Sequence, residues 1–226
     1  MTTAIVVFAK EPHAGRVKMR LSRTVGPEKA AALYRCFIVD TLEKIRPLPV
    51  ARKDLGYMPE DARDYFREMV APFLEISTFA QQGDDLGERL QHAFQREFSS
   101  GAEQIVTIDT STPTLPKRHI EEAFDSLQRV DAVLGPTFEG GIYLVGSRLP
   151  TTVLFEGVPW GTPDVFRQMV FNVSSAGLSL KSLEPWYSVD TEHSCQFLKA
   201  HLNALSHSGV KELPRETLQW LNSNKI

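Results

Sequence analysis

Cysteine is scarce in this sequence: only Cys36 and Cys195 occur among 226 residues. Both lie among apolar residues in segments that predict helices, so we expect buried, reduced thiols rather than a disulfide. The sequence also has no CxxC pair, no HExxH motif and no regular Cys/His cluster. These absences argue against a structural zinc site.

Long apolar runs are missing too. The apolar run at residues 4–9 is too short for the hydrophobic region of a signal peptide, and no basic residue precedes it. Nothing in the sequence approaches the length of a membrane-spanning helix. We therefore expect a cytoplasmic protein with no membrane span.

Charge of one sign is not in excess either. The 25 basic and 28 acidic residues leave a net charge of -3, which is not the bulk positive field of a nucleic-acid binder. Gly and Pro, at 14 each, are too sparse for a collagen-like or disordered tract. The length and the 42% hydrophobic content predict one domain covering residues 1–226, with no nucleic-acid partner.

What the sequence does have is an alternation of apolar strand patterns with helical patterns of about a dozen residues. The strand patterns lie at 4–9, 54–57, 74–79, 104–108, 131–134 and 142–145. The helical patterns lie at 27–46, 62–69, from Asp84 or Asp85 to 98, and at 116–127, 162–170, 191–205 and 214–221. This order predicts a mainly parallel α/β sheet flanked by helices. Ligands of such sheets bind beyond the carboxyl ends of the strands, which directs attention to residues 10–20, 109–114, 136–141 and 188–191.

The first of these loops is basic. Lys10, Arg16, Lys18 and Arg20 fall within eleven residues directly after a buried strand pattern. In an extended segment, the last three would project to one side and could bind a diphosphate. The loop is not a Walker A motif, which needs Gly-Lys-Ser/Thr. A solvated basic loop without a ligand is the alternative.

Oxygen-bearing side chains follow the later strands. Asp109, Ser111, Glu139 and Asp190 lie at or just after predicted strand ends, where two or three such oxygens can hold a divalent cation against a diphosphate. Each acid could equally be a simple cap. The pair Gly140-Gly141 could admit a ligand close to the backbone or could simply form a tight hairpin.

Two further segments, residues 82–89 and 188–193, contain polar residues with a possible functional role. Residues 82–89 predict a capped helix start, which could also offer amide groups to a nucleotide. Ser188, Asp190 and His193 do not predict a hydrolytic triad, because no Gly-x-Ser-x-Gly elbow is present.

The ordered motifs of the chain resemble those of a bacterial family of glycosyltransferase-like proteins. The resemblance begins with Phe8-Ala9-Lys10-Glu11-Pro12 and residues 15–21, Gly-Arg-Val-Lys-Met-Arg-Leu, and continues through Asp85-Leu86-Gly87-Glu88-Arg89, Pro113-Thr114-Leu115-Pro116, Gly140-Gly141 and Val189-Asp190-Thr191. The family is DUF2064, also called selenodomain-associated transferase 1, of the GT-A nucleotide-diphospho-sugar transferase superfamily. The resemblance implies a Rossmann-like GT-A fold.

It also implies a function: transfer from a nucleotide-sugar or a nucleoside triphosphate to an acceptor that the sequence leaves open. The catalytic candidates are Lys18, Arg20 and Glu139. The nucleotide-binding candidates are Lys10, Gly15, Lys18, Arg20, Asp85, Glu88, Ser111, Gly140 and Gly141. A Mg²⁺ or Mn²⁺ ion would be held by Glu139, Asp190 and Asp109.

The chain departs from the family pattern at the acidic positions. Ser111 stands where the family has a metal-binding aspartate, Ser188 replaces another acid, and Glu139 replaces an aspartate. A hydroxyl is a much poorer ligand for Mg²⁺ or Mn²⁺ than a carboxylate, although Asp109, two residues before Ser111 on an extended strand, could reach the ion instead. The alternative function is therefore a catalytically weak or inactive homologue that binds a nucleotide or a protein partner.

Overall fold

The computed structural model describes residues 1–224, which form seven strands and eight α-helices. The strands are β1 (Thr3–Lys10), β2 (Arg52–Met58), β3 (Ile76–Ala80), β4 (Gln104–Ile108), β5 (Ala132–Pro136), β6 (Ile142–Ser147) and β7 (Leu180–Ser182). The helices are α1 (Met19–Val25), α2 (Pro27–Ile45), α3 (Arg63–Val70), α4 (Leu86–Ser99), α5 (Lys117–Leu127), α6 (Val165–Ser175), α7 (Glu192–His207) and α8 (Arg215–Ser223).

All seven strands belong to one sheet, in the order β3-β2-β1-β4-β6-β5-β7. β6 runs antiparallel to both β4 and β5, and the other pairings are parallel. The predicted mixed, mainly parallel α/β sheet is thus confirmed. In the central strand β1, Ile5 and Val7 face one apolar layer, while Val6 and Phe8 face the other. This is why its sequence is continuously apolar rather than alternating.

Most predicted elements lie within a few residues of their observed bounds. The predicted helix at 162–170 instead begins at Val165 and continues to Ser175. The patterns missed β7, a strand of three residues, and α1, which follows the basic loop. Cys36 and Cys195 are buried and unpaired, as expected. Within residues 1–224, no helix has both the length and the apolar content needed to cross a membrane.

The last helix is held to the domain by a buried carboxylate. Asp40 of α2 is only 5% exposed, and it accepts hydrogen bonds from the backbone N–H groups of Glu216 (3.0 Å) and Thr217 (2.8 Å) in the first turn of α8. These N–H groups have no partner within their own helix. Asp40 therefore acts as a cap supplied from a distant segment.

We expect Asp40→Ala to lower the free energy of unfolding by about 2–3 kcal/mol, because it leaves two donors unsatisfied at a buried site. Asp85→Ala is the matched control, since Asp85 caps α4 at an exposed position by accepting from the N–H of Glu88 (2.9 Å); it should cost about 1 kcal/mol. Urea unfolding measures both. A smaller loss for Asp40→Ala than for Asp85→Ala would contradict this role.

Candidate active site

A cavity of about 460 Å³ lies beyond the carboxyl ends of β1 and β4. This is the edge of the sheet at which the parallel strand order places ligands. The cavity is lined by Phe8, Ala9, Lys10, Arg16, Val17, Lys18, Met19, Arg20, Tyr34, Gln81, Leu86, Arg89, Asp109, Thr110, Ser111 and Asp190. Six of the predicted site residues are thus brought together here: Lys10, Lys18, Arg20, Asp109, Ser111 and Asp190.

Lys18 joins three parts of the chain within this cavity. Its side chain is only 5% exposed, and its Nζ donates hydrogen bonds to Ser111 Oγ (2.8 Å) and Asp190 Oδ1 (2.9 Å). The same nitrogen lies 5.3 Å from the ring centroid of Tyr34 and 5.6 Å from that of Phe37. A carboxylate, a hydroxyl and two aromatic faces therefore stabilise a buried ammonium group.

The backbone at Lys18 differs from the expected extended conformation. Its φ of 47° lies in the left-handed region, and among residues 1–224 Lys18 is the only non-glycine residue with a positive φ. Helix α1 begins at the next residue, Met19, so Arg16 and Lys18 reach the cavity from a turn and Arg20 reaches it from the first turn of α1, rather than all three from an extended segment. Such a conformation costs on the order of 1–3 kcal/mol and is typical of functional sites.

The two carboxylates in the cavity have opposite pKa shifts. Burial raises the pKa of Asp109 to about 6; the nearby Asp190 adds to this shift, and Lys18 opposes it. Burial would also raise the pKa of Asp190, but the Lys18 ammonium and the hydrogen bond from Ser188 outweigh burial and lower it. Asp190 is therefore the ionised partner of Lys18, and Asp109 is the acid that is costly to ionise.

Glu139 lies outside the lining of the cavity, on an exposed turn. Its Oε2 accepts a hydrogen bond from Ser188 Oγ (3.3 Å), and Ser188 is two residues before Asp190 in the chain. Glu139 and the glycine turn thus lie beside the cavity but outside its lining, a position that we call its rim.

The predicted glycines do not line the cavity. Gly140 has a φ of 83°, and a Cβ there would lie 2.0 Å from the carbonyl oxygen of Pro163, so close packing against the loop before α6 accounts for it. Gly141 follows in the same turn, where its N–H donates to Thr137 Oγ1 (3.0 Å). Gly15 has a φ of 78° and is exposed on the basic loop.

Asp85 and Glu88 are likewise occupied at the start of α4. Asp85 Oδ1 accepts from the N–H of Glu88, and Glu88 Oε2 accepts from the N–H of Asp84 (2.7 Å). These bonds form a helix cap. The neighbouring residues Leu86 and Arg89 line the cavity instead.

Several lining residues were missed by sequence reasoning. Tyr34 lies in the middle of α2, where its pattern predicts only core packing; its hydroxyl bonds Thr110 Oγ1 (2.9 Å) and accepts from the N–H of Lys10 (3.2 Å). Gln81 follows β3 and donates its amide to the carbonyl oxygens of Gly56 (2.7 Å) and Ala9 (3.3 Å). Their positions depend on long-range packing, and no local signal identifies them. For Gln81, its place directly after a strand could have been a weak signal.

The predicted metal ligands do not gather into a cation site. Within residues 1–224, no three His, Cys, Asp or Glu side chains form a group that could hold a metal ion. Asp109 Oδ1 accepts from Ser111 N (3.2 Å) and Thr112 Oγ1 (3.3 Å), Asp190 binds Lys18, and Glu139 binds Ser188. This donor set does not fit a resident Mg²⁺ or Mn²⁺ ion, which prefers several free oxygen ligands.

The strain at Lys18 can be tested by comparing two substitutions that both remove the ammonium. Lys18→Gly should be more stable than Lys18→Ala by about 1 kcal/mol, because glycine adopts positive φ at little cost. Urea unfolding of both variants measures the difference. At Ala32, an exposed helical position of α2, Ala32→Gly should cost about 1 kcal/mol as usual. If the alanine form were more stable than the glycine form at position 18, as it is expected to be at position 32, the left-handed conformation of Lys18 would be contradicted.

The buried Asp109 should make stability depend on pH. Its folded pKa of about 6 exceeds the ordinary value of 3.8, so the folded protein binds a proton that the unfolded chain has released between these pH values. Stability should therefore fall as pH rises from about 4 to 6.

Asp109→Asn removes this effect and keeps an oxygen acceptor for Ser111 and Thr112. We expect the free energy of unfolding of the variant, relative to that of the wild type, to be higher at pH 7.5 than at pH 4.5 by roughly 2 kcal/mol. Urea unfolding of both proteins at the two pH values measures this difference. Equal pH dependence of the two proteins would show that Asp109 is not the group responsible.

Comparison with known proteins supports the predicted family. Residues 41–162 match the family described as "Uncharacterized protein conserved in bacteria (DUF2064)", whereas no curated protein matches the chain. A crystal structure from Desulfovibrio desulfuricans G20, described as a "putative nucleotide-diphospho-sugar transferase", is 33% identical; the alignment covers 99% of this chain and 96% of that one, with a TM-score of 0.87.

More distant structures share the fold alone. A 4-diphosphocytidyl-2C-methyl-D-erythritol synthase from Anaerococcus prevotii has 12% identity and a TM-score of 0.62, over 89% of this chain and 96% of that one. A CMP:2-keto-3-deoxy-manno-octonic acid synthetase, solved with CTP, has 11% identity and a TM-score of 0.57, over 90% and 99%. The chain belongs to the DUF2064 family, and its fold is that of nucleotide-diphospho-sugar transferases and cytidylyltransferases.

Proposed function

We propose that the protein is a transferase that binds the diphosphate of a nucleotide-sugar, or of a nucleoside triphosphate, in the cavity at the ends of β1 and β4. The observation that carries the proposal is the set of cations around this cavity. Lys10, Arg16, Lys18, Arg20 and Arg89 line it, against two carboxylates, Asp109 and Asp190. The chain as a whole carries a net charge of -3, so the cavity has a local charge opposite to that of the protein.

The cations differ in how firmly they are held. Arg89 donates to the carbonyl oxygens of Gly83 (2.9 Å) and Asp84 (2.8 Å), and Lys18 is fixed as described above. Arg20 is 65% exposed, with its Nη2 4.0 Å from Asp190 Oδ2. Within residues 1–224, Lys10 and Arg16 have no carboxylate partner. Lys10, Arg16 and Arg20 are therefore the groups that can turn toward phosphate oxygens.

The size and the apolar surface of the cavity suit a nucleotide. Its volume of about 460 Å³ lies within the range of small-molecule sites. Met19 and Leu86 line it and remain 60% and 37% exposed, so they offer the cavity an apolar surface beside the cations. We assign them to the apolar face of a nucleobase or sugar, with the phosphates on the basic side.

This arrangement supports a reaction in which negative charge develops on a leaving phosphate. In glycosyl transfer, the acceptor oxygen displaces a nucleoside diphosphate; in nucleotidyl transfer, it displaces pyrophosphate. In both, Lys18 would neutralise the developing charge from its fixed position, and Arg20 would do so by turning toward the phosphate. Ser111 and Asp190 contribute by holding the ammonium of Lys18.

Glu139 is better placed to act as a general base on the acceptor substrate than to bind a metal ion. It is exposed at the rim of the cavity and accepts its hydrogen bond from Ser188, which does not line the cavity. A carboxylate in this position can take the proton of an acceptor hydroxyl that approaches from solvent. Gly140 and Gly141 would then set the position of Glu139 rather than contact the nucleotide.

The comparisons support this proposal at the level of chemistry. The relative with 33% identity is described as a "putative nucleotide-diphospho-sugar transferase", and a more distant neighbour was solved with CTP. Both descriptions concern a nucleotide with linked phosphates. They are consistent with a cavity that is basic on one side and apolar on the other.

The test is a thermal-shift screen with nucleoside diphosphates, triphosphates and nucleotide-sugars, followed by titration calorimetry. At least one compound should raise Tm by several degrees, since a ligand that binds only the folded state stabilises it. Arg20→Ala should weaken the affinity about tenfold or more, and added salt should weaken binding to the wild type.

Arg129→Ala is the matched control. Arg129 is an exposed arginine in a second depression of about 520 Å³ beside α5, where acids and bases are mixed. Its removal should leave affinity unchanged. The proposal is wrong if no compound in the panel binds, or if Arg129→Ala weakens binding as much as Arg20→Ala does.

A further inference from the structure

The predicted cation site contains a side chain that already carries positive charge. Ser111 and Asp190, two residues that the family resemblance places at metal-binding positions, both face the same atom, Lys18 Nζ, at 2.8 and 2.9 Å. We propose that this ammonium takes the place of the divalent cation, so that the protein binds the diphosphate of its ligand without a metal ion. This inference rests on the proposed function, and it specifies which group supplies the positive charge at the diphosphate site.

The two oxygen partners are positioned independently of Lys18. The N–H of Val189 donates to the carbonyl oxygen of Ser111 (2.9 Å), which ties the loop after β4 to the segment before α7. The N–H of Asp190 donates to Ser194 Oγ (3.0 Å), in the first turn of α7. These bonds fix the backbone that carries the two oxygens, and the ammonium lies between them.

The chemistry of these partners suits an ammonium better than Mg²⁺ or Mn²⁺. A hydroxyl is a full hydrogen-bond acceptor for Lys but a weak ligand for a hard divalent ion. Ser188, at the other altered position, donates its hydroxyl to Glu139 Oε2 (3.3 Å) and adds no charge. With serine at positions 111 and 188, Asp190 is, among residues 1–224, the one ionised carboxylate in contact with Lys18. A single ammonium group neutralises that charge.

The surroundings of Lys18 also favour a permanent, singly charged group. The rings of Tyr34 and Phe37 cover its nitrogen at 5.3 and 5.6 Å, and its side chain is only 5% exposed. Aromatic faces attract an ammonium but are not ligands for Mg²⁺. The left-handed backbone at Lys18 delivers the side chain into this setting, at a conformational cost that a mobile surface lysine would not need.

A divalent ion bound between Ser111 Oγ and Asp190 Oδ1 would have to displace Lys18, which occupies both oxygens. The remaining acid of the cavity, Asp109, is engaged by Ser111 N and Thr112 Oγ1. In the described part of the chain, no third acid completes a site. The geometry is therefore that of a site whose resident cation is a side chain.

The experiment measures binding of inorganic pyrophosphate and of UDP, GDP, CDP and ADP by calorimetry, in 1 mM EDTA and in 1 mM free Mn²⁺. Affinity of the wild type for the best binder should differ by less than about twofold between the two conditions. Lys18→Gly, which also relieves the backbone, should weaken binding in EDTA tenfold or more. Arg129→Ala, the control outside the cavity, should change nothing.

A second measurement needs no nucleotide. Electron paramagnetic resonance of Mn²⁺ with the wild-type protein should show no bound ion at 1 mM. A stoichiometric Mn²⁺ site that Asp190→Asn abolishes would overturn the inference, as would nucleotide binding that requires Mn²⁺. The proposed function would survive both results. Absence of binding under every condition would instead overturn the proposed function and this inference together.

Discussion

The site depends on one interaction, the burial of the Lys18 ammonium between Ser111 and Asp190. The three residues come from the loop after β1, the loop after β4 and the segment before α7, and they are separated by 93 and 172 positions along the chain. A buried charge is costly unless it is paired and hydrogen-bonded, so Lys18 keeps its buried position only where Ser111 and Asp190 meet it. The positive charge of the cavity comes from the other cations that line it, Lys10, Arg16, Arg20 and Arg89.

The rest of the structure keeps these segments in place. Lys44 of α2 donates its Nζ to the carbonyl oxygen of Pro113 (3.0 Å), and burial lowers the pKa of this lysine to about 8. Thr114 Oγ1 donates to the hydroxyl of Tyr187 (2.7 Å) and accepts from the indole of Trp186 (3.2 Å). The loop after β4 is therefore held from both sides, by α2 and by the segment before α7. Packed side chains thus fix a loop that carries functional groups, as is common at the ends of parallel strands.

Polar groups that look functional in the sequence have two different uses in this structure. Asp85, Glu88 and Gly140 satisfy backbone geometry: the acids cap α4, and the glycine allows close contact with Pro163. Lys18 does the opposite, since its backbone is strained and its side chain lines the cavity at the ends of β1 and β4. Residues that relieve local strain or cap a helix are structural, whereas a residue that retains strain in order to place a charge points to function.

Local patterns in the sequence were sufficient for most of the fold. The continuous apolar run of β1 and the stripes of α2 and α4 follow from periodicity, which acts over a few residues. The predicted parallel order also gave the edge of the sheet at which to look for a site, and the resemblance of motifs added the GT-A fold. Short or strained elements escaped prediction: β7 has three residues, and α1 follows a left-handed lysine that no propensity anticipates.

At the site, the sequence determined which residue types were present: a basic loop, serines at two acidic positions and a glycine turn. Only the tertiary structure decided that Lys18 meets Ser111 and Asp190, that Glu139 stays at the rim, and that Tyr34 of α2 reaches the cavity. The physical reason is that side-chain direction and charge pairing depend on contacts between distant segments. Sequence spacing gives only the neighbours along the chain. It does not show that Ser111, and not Ser188, contacts the ammonium group of Lys18.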